Sequence, residues 1–220
     1  EENFRTPEEL GGYILEDLWR SIDLDYPVDQ IPDPLEKEIA EHERYASTRR
    51  RIYIGRQAYF DRLDAHVVGS DSFLVVKGAS GSGKTALIAN WVERYREKNP
   101  GVLIIQHYIG TSAKSSDYVH ILSRIMKELN RRFSLNMPVA TNPQQLIEEF
   151  PDWLNMASAK GKVLIVLDGL NQLDAEVLEL NWLPRFLPPN IRMIFSVVSG
   201  TIDNALAAKG WQEFFVDGLR

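Results

Sequence analysis

Eight consecutive residues, Gly78-Ala79-Ser80-Gly81-Ser82-Gly83-Lys84-Thr85, follow the pattern G-x-x-x-x-G-K-[ST]. The chemistry of such a run is capture of a phosphate chain. Glycines admit backbone angles closed to other residues, so successive N–H groups can turn inward on an anion, and the helix that follows adds its positive end. The candidate nucleotide-binding positions are Gly78, Ser80, Gly81, Ser82, Gly83, Lys84, Thr85 and Ala86. Lys84 would neutralise the β- and γ-phosphates, and the Thr85 hydroxyl would ligate the magnesium ion that bridges them.

A magnesium ion held there needs a second anchor. The run KVLIVLDG puts Asp168 at the carboxyl end of an apolar stretch, where its charge is costly unless it meets a cation. Asp168 is therefore the second candidate metal ligand. The chain continues Gly169-Leu170-Asn171-Gln172-Leu173-Asp174. Asn171 and Gln172 can hold a water but cannot take its proton. Gln172 and Asp174 join Lys84 and Asp168 as candidates for catalysis, although Asp174 reads equally as the N-cap of a following helix, and the cap is the favoured reading. Ser196 and Ser199 close the run IRMIFSVVSG, where a serine either senses a γ-phosphate or simply forms a turn. Arg185 and Arg192 have the reach for a phosphate, but lone surface arginines ordinarily do not use it.

These residues need elements to hold them. SFLVVKG is a short apolar run stopping at glycine, and TALIANWVERYREKN reads as a helix ending before Pro100. GVLIIQHYIG, KVLIVLDG, IRMIFSVV and EFFV give four more strand candidates. Between them, residues 117–133 and 143–159 carry helical periodicity, and TIDNALAAKG is a short helix closed by Gly210. Near-continuous apolar strands separated by helices predict a parallel sheet covered on both faces. Upstream, Thr6-Pro7-Glu8-Glu9 forms a helix start with a capping box, and Leu10, Ile14, Leu18 and Trp19 give the helix an apolar stripe. The prolines of DYPVDQIPDP predict a linker, and a charged helix from about Leu35 to Arg50 follows.

The chain holds 220 residues with a net charge of −6 and no cysteine. Its 44% hydrophobic and 25% charged content is that of a globular protein. Excess acid argues against a nucleic-acid footprint, and the basic run STRRR, Ser47 to Arg51, reads as a solvated helix end. Absence of cysteine excludes disulfides and thiolate metal sites and fits a reducing, cytoplasmic compartment. No apolar run approaches the roughly 20 residues a membrane-spanning helix requires. The four histidines, His42, His66, His107 and His120, are scattered without metal-ligand spacing. Beginning without Met and ending at FFVDGLR, the sequence reads as a segment of a longer protein.

One ordered set carries a family resemblance: YIGR at Tyr53–Arg56, the phosphate loop, LDGLNQLD, and MIFSVVSG followed by a small helix and GW. From about Ile52 to the end it resembles the NACHT-type STAND P-loop NTPases, in particular their nephrocystin-like and telomerase-associated-protein-like branch. FRTPEELGGYILEDLWRSID resembles the segment that closes an N-terminal effector or adaptor domain in such proteins. The expected division is a helical extension and linker over 1–51 and an NTPase domain over 52–220. The resemblance implies a three-layer α/β fold with a mostly parallel five-stranded sheet, in which the Ser196 strand lies between the phosphate-loop and Asp168 strands. It implies Gly55 and Arg56 near the adenine or its ribose, and ATP or ADP with Mg²⁺ as cofactors. Such proteins are switches, monomeric with ADP and self-associating through the NTPase domain with ATP, with protein partners bound by flanking effector and repeat domains. The commoner NACHT form has acidic residues where this chain has Asn171 and Gln172, which points to slow or oligomer-dependent hydrolysis. Two rivals stay open: a nucleotide-binding scaffold without hydrolysis, and a small-molecule kinase, which would need an arginine-rich lid that the sequence does not display.

Overall fold

The computed structural model describes residues 5–25, 32–51, 56–174 and 177–218. The chain separates into two compact units, Glu1–Glu38 and Ile39–Arg220. In the first, helix α1 (Pro7–Asp25) is capped by Thr6, whose Oγ1 accepts the Glu9 N–H at 3.2 Å; Glu9 Oε2 accepts the Arg5 N–H at 2.6 Å, one residue before the Thr6 N–H of the expected capping box, so the return bond is shifted by one residue. Its stripe residues Ile14, Leu18 and Trp19 remain 50%, 55% and 59% exposed. Of the predicted linker, residues 26–31 lie outside the described ones.

The second unit takes in residues 39–50 of helix α2 (Pro34–Arg50), ahead of the division expected at 51/52. The reason is packing: Ala46 is fully buried in a small cluster with Ala89 and Tyr108. Then follow α3 (Gln57–Val68), β1 (Phe73–Gly78), α4 (Lys84–Lys98), β2 (Leu103–Tyr108), α5 (Tyr118–Phe133), α6 (Pro143–Lys160), β3 (Val163–Asp168), β4 (Ile191–Val198), α7 (Asp203–Lys209) and β5 (Gln212–Phe215). The strands form one sheet in the order β2-β3-β4-β1-β5, every neighbouring pair parallel. β4 thus separates the phosphate-loop strand from the Asp168 strand.

Alternation along the strands sorts the core into two layers. Phe73, Val75, Ile165, Leu167, Met193 and Phe195 face a cluster that includes Ile125, Phe150 and Trp153 of α5 and α6. Leu74, Val76, Leu164, Val166, Ile194 and Phe214 face Leu63, Ile88 and Trp91 of α3 and α4. Successive side chains point to opposite faces, so both faces of every central strand must be apolar, as the sequence runs are. Lys77 is the exception inside β1, and it is matched by Asp203 and Glu213, each 2.9 Å away. Among the described residues no helix is long and apolar enough to cross a membrane.

Candidate functional site

The parity that builds the core also builds the site. Tyr108, Asp168 and Ser196 are even-numbered positions at the carboxyl ends of neighbouring strands, on the α4 side. The turn from β1 into α4 brings the phosphate loop to the same edge. Gly78 closes β1 where a Cβ would come 2.6 Å from the Val216 carbonyl oxygen and 2.8 Å from Ser82 Oγ, so glycine lets the end of β1 approach the backbone at Val216 with the Ser82 side chain beside it. Gly83, at φ 90°, is the left-handed N-cap that turns the loop into α4. Ser80 and Gly81 are exposed at the tip, while Ser82 is buried beneath it with Oγ unpartnered. Ala86, in the first turn of α4, is half-buried.

Lys84 sits under the loop, donating from Nζ to the carbonyl oxygens of Gly78 and Ala79 at 2.8 Å each. Burial holds its proton affinity below the ordinary lysine value, and the charge of Asp168 opposes that shift. Thr85 Oγ1 donates to Asp168 Oδ2 at 2.7 Å, and Ser196 Oγ donates to Asp168 Oδ1 at 2.5 Å. Ser196 Oγ also accepts the Gly169 N–H at 2.9 Å. The single proton of Ser196 is therefore spent on Asp168, which places that serine beside the carboxylate.

Asp168 is 4% exposed. Burial raises its pKa, opposed first by the hydroxyls of Ser196 and Thr85 and then by the charges of Lys84 and Arg49. A buried carboxylate with a raised proton affinity is short of positive charge. Two oxygen ligands in contact, one of them anionic and lacking compensation, form a donor set that suits a hard divalent cation such as magnesium. The residues fit the ion that the sequence pattern implies.

The segment beyond Asp168 is built differently. Asn171 Oδ1 accepts the Val198 N–H at 3.0 Å, tying the turn after β3 to the end of β4. Gln172 is exposed, its amide lying against Gly110 and Gly169, where any Cβ would strike it. Asp174 is exposed as well, and the predicted helix after it begins with residues 175 and 176, which lie outside the described ones. On the other flank, Arg56 Nη1 donates to the Asp217 carbonyl oxygen at 2.5 Å and lies over the Tyr59 ring. Gly55 and the rest of YIGR before Arg56 are outside the described residues.

Arg192, in line with the ordinary reading of a lone arginine, stands at the opening of β4 and donates to the carbonyl oxygens of Gly69, Pro189 and Ile191, at the far end of the strand from the loop. Two expectations change. The basic run is not merely solvated: Arg50 pairs with Glu43 and Glu93, at 2.9 and 3.4 Å, because the buried Ala46 face sets α2 against α4. The histidines are not all scattered. The fold brings the His42 and His107 rings to 4.3 Å, with His42 Nδ1 accepting the Tyr108 N–H at 3.1 Å from the edge strand. Sequence reasoning missed Arg49, whose charge acts on Asp168. The available signal was the spacing of His42, Tyr45, Ala46 and Arg49, one helical face inside a charged run.

A family model described as the AAA ATPase domain matches residues 53–192. Nephrocystin-3 of Mus musculus is 34% identical over 171 residues, covering 76% of this chain and 13% of that protein. A TPR repeat-containing protein of Dictyostelium discoideum is 26% identical over 274 residues, 94% of this chain and 16% of its own length. Tetratricopeptide repeat protein 41 of Rattus norvegicus is 25% identical over 90% of this chain and 19% of itself. The chain thus spans less than a fifth of each of these relatives. Among solved structures, a chain of Drosophila ORC bound to AT-rich DNA and Cdc6 shares the fold with a TM-score of 0.52 at 14% identity, over 83% of this chain and 60% of that one. A chain of Drosophila ORC bound to DNA gives 0.52 at 18%, over 81% and 47%. With its phosphate loop between β1 and α4, its Asp168 strand one removed from it, and a family match over most of its length, the chain belongs to the AAA ATPase domain family.

Proposed function

We propose that this domain is an ATP/ADP–Mg²⁺ binding switch of the STAND type, in which nucleotide state, rather than rapid turnover, is the output. The observation that carries the reading is the contrast between a complete holding set and an uncommitted hydrolytic one. Lys84, Thr85 and Asp168 converge under the loop, whereas the next carboxylate along the chain, Asp174, is exposed. Lys84 would exchange its two loop carbonyls for phosphate oxygens. Thr85 and Asp168 would hold the magnesium ion, with Ser196 and the Gly169 N–H fixing the carboxylate. When bound, that ion would neutralise charge on the phosphate oxygens. The flank formed by Arg56, Tyr59 and Asp217 is the side assigned to the adenosine.

Slow hydrolysis would depend on Gln172, Asp174 or a group from a neighbouring copy. Relatives named for TPR repeats support protein partners bound through repeats beyond this segment, and the family supports self-association of the NTPase domain. The test is calorimetric titration of the chain, stripped of nucleotide, with ATP and ADP in magnesium. Binding of both at micromolar or tighter Kd, with slow turnover, is expected; failure of both to bind would overturn the reading. Rapid phosphoryl transfer to an added metabolite would favour the kinase alternative.

A further inference from the structure

Helix α2 reaches the same sheet edge through a ladder of rings. The Arg49 guanidinium lies 4.7 Å over the Tyr45 ring, and its Nη2 donates to Tyr45 Oη at 3.0 Å. The Tyr45 ring is 5.0 Å from that of Tyr108, and Tyr108 is the register partner of Asp168 across β2 and β3. Ala46, one residue on from Tyr45, is buried with Ala89 of α4, the helix that starts at Lys84. Arg49 is thus held near the carboxyl end of β2, whose last residue pairs in register with Asp168, by packing of its helix on β2 and α4. It stays exposed, with a planar fork of donors of which the described structure commits one to Tyr45.

We infer that Arg49 is a nucleotide-reading residue, which binds the terminal phosphate of a triphosphate on the loop and so distinguishes ATP from ADP. This rests on the loop binding nucleotide as proposed above. A diphosphate ends short of the Asp168 corner and offers Arg49 no anion. A triphosphate brings a terminal oxygen to that corner, where guanidinium and phosphate suit one another in charge and plane. Glu43, Arg50, Glu93 and Arg96 pair among themselves and fasten the same stretch of α2 to α4. The position of Arg49 is therefore set before any ligand binds.

The experiment measures Kd for ATP·Mg²⁺ and ADP·Mg²⁺ by calorimetry on the wild-type chain, Arg49→Ala, Arg49→Lys and Tyr45→Phe. Thermal melting confirms the fold of each. For Arg49→Ala, ATP binding should weaken about tenfold, the loss of one charge-assisted contact, with ADP binding unchanged within about twofold. Arg49→Lys should fall between, because it keeps the charge and loses the fork. Tyr45→Phe should shift ATP in the same direction by less. If wild type binds both nucleotides and Arg49→Ala weakens both equally, or neither, the inference is overturned while the loop assignment stands. If wild type binds neither, both are overturned.

Discussion

Two buried polar clusters sit near the carboxyl ends of β2 and β3, and they are built to opposite ends. In the first, Thr85 and Ser196 hydroxyls surround the Asp168 carboxylate at the mouth of the phosphate loop. Its groups can change partner: a hydroxyl proton can turn away and a carboxylate can accept a metal ion in its place. In the second, His107 Nε2 donates to the Ser115 carbonyl oxygen at 2.8 Å while Nδ1 accepts from Arg124 Nη1 at 3.0 Å. His42 Nδ1 takes the outward N–H of the edge strand, and Arg124 pairs with Glu128 at 2.8 Å. These groups lock α2 and α5 to β2 and have no reason to exchange. Buried polarity alone does not mark a site; exchangeable partners beside a glycine-rich phosphate loop do.

Acid should separate the two clusters most sharply. Burial lowers the pKa of His107 to about 3 and of His42 to about 2, and that of His66, on α3 and outside this cluster, to about 4. Below pH 6.5 the unfolded chain binds protons that the fold excludes, so this stability is complete above 6.5 and is lost as the pH falls. Each histidine costs about 1.4 kcal/mol per pH unit, a sum on the order of 6 kcal/mol by pH 5. Asp168 works the other way, since its proton affinity is raised in the fold, but it is one group against three. Urea midpoints should be level between pH 7 and 8 and collapse towards pH 5; a level midpoint down to pH 5 would remove the locking role.

Substitutions in the first cluster should do the reverse, taking binding and sparing the fold. Lys84→Ala removes the cation from the loop and should cost about 3 kcal/mol or more of ATP affinity, on the order of a hundredfold in Kd. Unchanged affinity on calorimetry would sink the site. Asp168→Asn should weaken ATP about tenfold in magnesium and much less in EDTA; equal losses would mean that Asp168 does not hold the metal. Asp174→Ala, on an exposed side chain, should leave ATP affinity and melting temperature within error, and a large loss of either would show that this segment is committed after all.

Much of this was legible in the residues. The Thr6 cap of α1, the five apolar runs and Gly210 as the stop of α7 read directly, because each depends on local chemistry. Asp168 reads as a metal anchor from the cost of an unpaired aspartate at a strand end, and the fold gives it the Thr85 and Ser196 hydroxyls as partners. The rest depended on pairings between distant segments. His42 and His107 meet because α2 covers the free edge of β2, which no spacing along the chain announces. Arg49 read as a solvated cation because a charged helix hides its buried face when that face consists of one alanine, one tyrosine and one histidine. Gln172 reads as a water holder, and the packing of its amide against Gly110 and Gly169, two glycines far apart in sequence, is announced by no spacing along the chain.

The central claim is that the holding groups are fixed and the water-activating group is not. Phosphate release from pre-bound ATP in a single turnover, followed across a range of protein concentrations, tests it most directly. The account predicts release far slower than the 1 s⁻¹ or so at the low end of ordinary enzyme turnover, accelerating as concentration drives copies together. Release at about 1 s⁻¹ or faster in dilute monomer, independent of concentration, would contradict it.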